Sequence, residues 1–256
     1  MDSSRITRCW AGLFIAFTCC VASGFGAETL FLVDGKTFPG KLWTSEAGGS
    51  ERLVFQREAT ANPAYPQAVM KLGHVAVGPD HKIYYCSGLD GYVLHLLDGR
   101  NEVLSFEFGG QVRDVACTDE DHVVYFSVVP TPEDNEPLAD GKIYRRDIWQ
   151  GQPTEVATVK QSEIGGGWWG NFAIRDRELY IATLEDSSRV FKLTSSAPEL
   201  VATAQGHRIA GFVSTADGWL LAEGTGRIYR TADFAAIEDA FLAVKPISDV
   251  ATPTHP

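Results

Sequence analysis

The chain has 256 residues, 45% of them apolar, and a formal net charge of −11. That length suits one or two domains with a proper core. An acidic chain without a basic run excludes nucleic acid, which is held by clustered Lys and Arg, and acidic membrane surfaces as partners.

Arg5 and Arg8 precede an apolar run from Trp10 to Ala22, and small residues follow from Ser23 to Ala27. Basic start, apolar middle and small-residue exit are the layout of a secretory leader. Residues 1–26 are therefore expected to be a signal peptide, cleaved after Gly24 or Gly26. The run is shorter than the roughly 20 residues a spanning helix needs, and an uncleaved membrane anchor is the alternative. The expected location is secreted or periplasmic, with no membrane insertion once the leader is gone. Cleavage removes Cys9, Cys19 and Cys20 and leaves Cys86 and Cys117 in a compartment that permits disulfides.

From Thr29 onward the chain reads as short strands and turns. Thr29–Val33 is apolar, Asp34-Gly35 is a hairpin turn signal, and Thr37–Thr44 returns. Arg52–Gln56 is a third strand, and Arg57–Met70, with Pro63 and Pro66, is an extended connection. Only Ala235–Ala243 has the spacing of a short helix.

A four-strand unit then repeats. Its first strands begin at His74, Asp114, Asn171 and Gly211, offsets of 40, 57 and 40 residues. The long offset holds the proline-rich acidic insertion Pro130–Asp140. Repeats of roughly 40–50 residues are the spacing of propeller blades. Asp249-Val250-Ala251 matches Asp114-Val115-Ala116, the opening of a unit, while Thr29–Gln56 supplies three strands without an opening. Joined, the two ends complete a fifth unit and remove the free sheet edges that invite pairing with other chains. The expected fold is all-β, a propeller of five four-stranded blades. Residues 27–256 form one domain: 27–58 and 245–256 make the closing blade and tail, and 72–244 the four full blades. A six-bladed ring and a β-sandwich are the alternatives. Consecutive apolar residues such as Val123-Val124-Tyr125-Phe126 fit sheets covered on both faces.

The blade openings His74-Val75-Ala76-Val77 with Lys82-Ile83-Tyr84, and Asn171-Phe172-Ala173-Ile174 with Glu178-Leu179-Tyr180-Ile181-Ala182, resemble those of NHL-repeat and gluconolactonase-like β-propellers. The resemblance covers residues 72–244 and speaks to architecture. In gluconolactonase-like enzymes a divalent ion sits in the central channel, held by acidic and Asn side chains at blade openings. That implies Asn171, then Asp114, as ligands here, with His74 standing where the family has an acidic ligand.

Alignment of the units places His74, Asp114, Asn171, Gly211 and Asp249 around one mouth of the channel. Asp114, Asn171 and Asp249 offer the oxygen donors that Ca²⁺ prefers, and His74 is a candidate base. Equally, polar residues of a wet channel hydrogen-bond to backbone and water. Trp168 and Trp169 follow three glycines and are candidates to stack on a flat ligand, or to pack between blades. Glu163 is a candidate carboxylate at the mouth, and paired with Asp114 it would suit glycoside chemistry. Arg113 and His207-Arg208 place cations nearby, to receive an anion or to pair with surplus carboxylates.

Cys86 and Cys117 would differ in height by about 10 Å at about 3.3 Å per residue, too far for a bridge, so both are expected free and buried. Phosphate-loop, nucleophile-elbow and Cys-x-x-Cys motifs are absent. Two functions remain. One is an exported binding or interaction scaffold taking a small molecule, glycan or protein at the channel mouth. The other is a metal-dependent lactonase-like hydrolase or lyase, with Asp114, Asn171 and Asp249 on the ion and His74 moving protons.

Overall fold

The computed structural model describes residues 29–34, 41–46, 51–56, 72–87, 93–98, 101–107, 111–120, 122–129, 140–165, 169–242 and 249–251. The leader, the hairpin turn after Asp34, the connection 57–70, the insertion 130–139 and Trp168 lie outside these residues.

Three strands open the chain: β1 (Thr29–Asp34), β2 (Lys41–Glu46) and β3 (Arg52–Gln56). Blade one is β4 (Leu72–Val77), β5 (Ile83–Ser87), β6 (Val93–Asp98) and β7 (Asn101–Glu107). Blade two is β8 (Gln111–Cys117), β9 (Val123–Val129), β10 (Gly141–Asp147) and β11 (Gln150–Val159). Blade three is β12 (Trp169–Arg175), β13 (Glu178–Thr183), β14 (Ser188–Leu193) and β15 (Pro198–Ala204). Blade four is β16 (Gly211–Thr215), β17 (Gly218–Ala222), β18 (Arg227–Thr231) and β19 (Glu238–Leu242). The fifth sheet has the order β20 (Asp249–Ala251), β1, β2, β3, with Leu32 opposite Val250.

The innermost strands β4, β8, β12, β16 and β20 touch one another in that cyclic order. The fold is thus a five-bladed β-propeller, and neither a sandwich nor six blades. One expectation is corrected: Ala235–Ala243 is not helical, since β19 occupies 238–242 and pairs with β18, Ile228 opposite Phe241. A helix that short is marginal alone, whereas β18 offers an open ladder. Among the described residues, the helical element is a 3₁₀ turn at Gln161–Ile164.

Five apolar clusters fill the five gaps between neighbouring blades. This is why apolar residues run consecutively: Tyr84 and Cys86 face blade two, while Ile83 and Tyr85 face the fifth blade. Cys86 and Cys117 share the cluster between blades one and two, both buried and neither in a disulfide. Burial pushes the Cys117 thiol well up, which keeps it protonated and inert.

Register shifts mark each blade in the same places. All five have one between the third and fourth strands, at Leu42/Trp43, Leu96/Leu97, Ile143/Tyr144, Val190/Phe191 and Ile228/Tyr229. Three also have one where the innermost strand begins, at Leu72/Val75, Val112/Asp114 and Trp169/Asn171. A bulge puts two residues against one and re-aims a side chain. The shifts therefore turn the opening residues His74, Asp114 and Asn171 out of the regular alternation.

At the opposite end of the channel, Asp80 accepts hydrogen bonds from Lys82 Nζ at 2.8 Å and the Lys82 amide at 3.2 Å, with His122 Nδ1 3.0 Å away. Burial opposes its charge, but the Lys82 bonds and the Lys82 and His122 charges outweigh it and hold the carboxyl below its ordinary range. A depressed folded-state value stabilises the fold above the unfolded carboxyl pKa of about 4, and the benefit is lost as pH falls through the folded value. Asp80→Asn is expected to flatten the acid limb of the unfolding midpoint plotted against pH below about 4. An acid limb superposing on that of the wild type would contradict this.

Candidate functional site

The opening residues act first as fasteners between blades. Asp114 is 4% exposed. Its Oδ1 accepts from the Val115 amide at 2.7 Å, and its Oδ2 accepts from the Phe172 amide of blade three at 2.6 Å. His74 Nδ1 of blade one lies 3.3 Å from Oδ1. Asn171 donates from Nδ2 to the Ile209 carbonyl at 3.0 Å, tying blade three to the connection that enters blade four.

That last bond fixes the amide. A carbonyl can only accept, so Nδ2 must face Ile209 and Oδ1 must face the other way. Asn171 is 1% exposed, and its Oδ1 has no hydrogen-bond partner among the described residues. A buried acceptor left unmade costs about 1–3 kcal/mol, so this oxygen needs an account.

Asn171 borders a cavity of about 690 Å³, together with His74, Asp186, Arg208, Glu223 and Thr225. A space touching the innermost strands of blades one and three and the threshold of blade four can lie only at the channel mouth. Two turns and one connection wall it. The turn after β13 carries Asp186, the connection from β15 to β16 carries Arg208, and the turn after β17 carries Glu223 and Thr225.

The walls are pinned to each other. The Gly206 amide donates to Ser187 Oγ at 2.9 Å, the Ile209 amide to Ser188 Oγ at 2.9 Å, and the Ser188 amide to the His207 carbonyl at 3.0 Å. Glu223 is held on both oxygens, with His207 Nδ1 at 3.1 Å from Oε1 and the Tyr229 hydroxyl donating to Oε2 at 3.3 Å. The His207 ring meets Tyr229 edge-on at 4.6 Å. By contrast, the side chains of Asp186 and Arg208 are exposed and have neither ion pair nor hydrogen bond among the described residues.

The other expected site residues fall elsewhere. Trp169 is 1% exposed and sits in the cluster between blades two and three, so it offers no face to a ligand. Glu163 lies on the 3₁₀ turn, pairs with Lys160 at 3.0 Å, and borders a separate hollow with Thr158 and Leu193. It is not placed beside Asp114. Burial lowers the Arg113 guanidinium pKa from its usual value, with the Cys86 sulfur opposing, and the Arg113 carbonyl accepts the Cys86 thiol at 3.5 Å. Asp249 lies on β20 opposite Val33, its side chain outside the described residues. Among the described residues no three His, Cys, Asp or Glu side chains converge as metal ligands. Asp186, Glu223 and Thr225 were missed by the sequence reading. The alternation of strand direction could have found them, because turns after second strands lie at the same end as the openings of first strands.

The molecule is thus a five-bladed propeller with a polar, asymmetric pocket at one mouth. No known sequence family and no curated protein matches the chain. Its shape is similar to that of a structural genomics protein of unknown function from Bacteroides thetaiotaomicron, with a TM-score of 0.51 and 10% identity. That likeness covers 83% of this chain and 64% of the other, so the chain spans less than two thirds of that protein's length. A PQQ-bound aldose sugar dehydrogenase from Streptomyces coelicolor is a more distant likeness, at a TM-score of 0.44 and 13% identity over 72% of this chain and 85% of that one. At such identities the likeness shows the fold alone. The five-bladed ring is consistent with the NHL-repeat and gluconolactonase-like resemblance of the blade openings.

Proposed function

We propose that this chain is an exported binding scaffold that takes a small polar ligand at the channel mouth. The observation that carries the reading is the cavity of about 690 Å³, on which Asp186 and Arg208 stand with neither ion pair nor hydrogen bond among the described residues. Ligand pockets of that size with a few fixed polar groups are typical binding sites. The pinned connection from β15 to β16 keeps the wall in place before a ligand arrives, which lowers the cost of ordering on binding.

The metal-dependent hydrolase reading is the less favoured. It asks Asp114 to lend oxygens to an ion, yet both already accept backbone amides. The binding reading leaves those bonds intact.

A panel of sugars, hydroxy acids, amino acids and short peptides, screened by ligand-observed NMR, tests the proposal. Thr225→Trp fills the pocket from a turn residue exposed at the rim. At least one compound is expected to bind the wild type and to lose binding in this variant. Binding that Thr225→Trp leaves unchanged, or no binding across the panel, would overturn it.

A further inference from the structure

Opposite charges that border one cavity normally pair. Among the described residues Asp186 and Arg208 do not. Asp186 sits in the turn after β13, Arg208 in the connection from β15 to β16, and three bonds from Ser187 and Ser188 lock these segments at a set spacing. Glu223, the other carboxylate of the pocket, is already engaged by His207 and Tyr229. Among the described residues the cavity therefore presents one unengaged cation and one unengaged anion.

We infer that the ligand is a small zwitterion bearing a primary ammonium group, an amino acid or short peptide; this rests on the binding reading above. The Arg208 guanidinium offers two parallel N–H donors to a carboxylate. Asp186 is an acceptor, and an ammonium group brings N–H donors to it. A quaternary ammonium has none to give Asp186. A neutral sugar leaves both charges without partners. A simple anion serves Arg208 while adding charge beside Asp186 and Glu223. The cavity of about 690 Å³ has room for a chain of two or three residues.

The test is calorimetric titration of the full chain with alanyl-alanine, N-acetyl-alanyl-alanine, alanyl-alanine amide and glucose. The free dipeptide is expected to bind, and each blocked form to bind at least about tenfold more weakly, the scale of one lost charge-assisted contact. Asp186→Ala should erase the discrimination against the acetylated form, and Arg208→Ala that against the amide. Both side chains are exposed, so neither change should threaten the fold. Equal binding of free and blocked dipeptides overturns the inference. Glucose binding that Thr225→Trp abolishes, with no dipeptide binding, also overturns it while leaving the pocket reading in place. A dipeptide that binds Thr225→Trp as well as the wild type overturns both.

Discussion

Trp169→Ala is expected to remove about 3–5 kcal/mol of folding stability, the usual cost of deleting a large buried aromatic. Trp169 is among the largest fully buried side chains and packs with Ile143, Phe172 and Ile181 between blades two and three. Gly141 is cut to fit it: a Cβ there would stand 2.3 Å from Trp169 Cζ2. The glycine has no side chain with which to fill the hole, so the cavity would persist. Trp169→Phe should cost less than half as much. The indole Nε1 is buried without a hydrogen-bond partner among the described residues, and phenylalanine discards that unmet donor while keeping most of the apolar volume. Urea unfolding of the three proteins decides it. A cost below about 1 kcal/mol for the alanine variant would show that the gap can collapse.

Asp114→Ala is expected to cost about 2–4 kcal/mol, because it leaves two buried amides, those of Val115 and Phe172, without their acceptors. It also deprives His74 Nδ1 of the carboxylate 3.3 Å away. Asp114→Asn should recover only part of the loss. The isosteric amide has one accepting end, and its NH₂ end would meet a backbone donor head-on. The alanine variant should also weaken ligand binding, since the Phe172 amide is adjacent to Asn171 and the two openings share this fastening. Chemical unfolding with ligand titration checks both effects. An asparagine variant as stable as the wild type would contradict the two-acceptor account.

The blade framework was legible because its causes are local and repeated. Turn residues and apolar runs recur at a fixed spacing, and the match of Asp249-Val250-Ala251 to Asp114-Val115-Ala116 pointed to a fifth sheet built from both ends. The helical spacing at 235–243 is local, whereas the four-strand unit asks for a strand at Ile237–Leu242 beside β18, and the unit prevails. The mouth was legible only as a ring of positions. Alignment put His74, Asp114 and Asn171 at one level, but it could not show that bulges turn them toward neighbouring blades, nor that Asp114 spends its oxygens on backbone amides. Of the two readings open for Trp169, packing between blades is the one found, and Glu163 was misplaced for a related reason. Closeness in sequence to Asn171 says nothing about which side of a strand or connection a side chain leaves from, and one went into an inter-blade core and the other to the outer flank.

The shift between third and fourth strands, present in every blade, bears on how the molecule behaves among copies of itself. A five-bladed ring hides its inner edges and necessarily presents five outer ones, each a row of backbone donors and acceptors able to template a foreign strand. A bulge beside such an edge sharpens its twist and breaks the even spacing that flat stacking demands. The rim is thereby built to stay unpaired in concentrated solution, including at β15, where Leu200 and Val201 are exposed and an untwisted edge would be most adhesive.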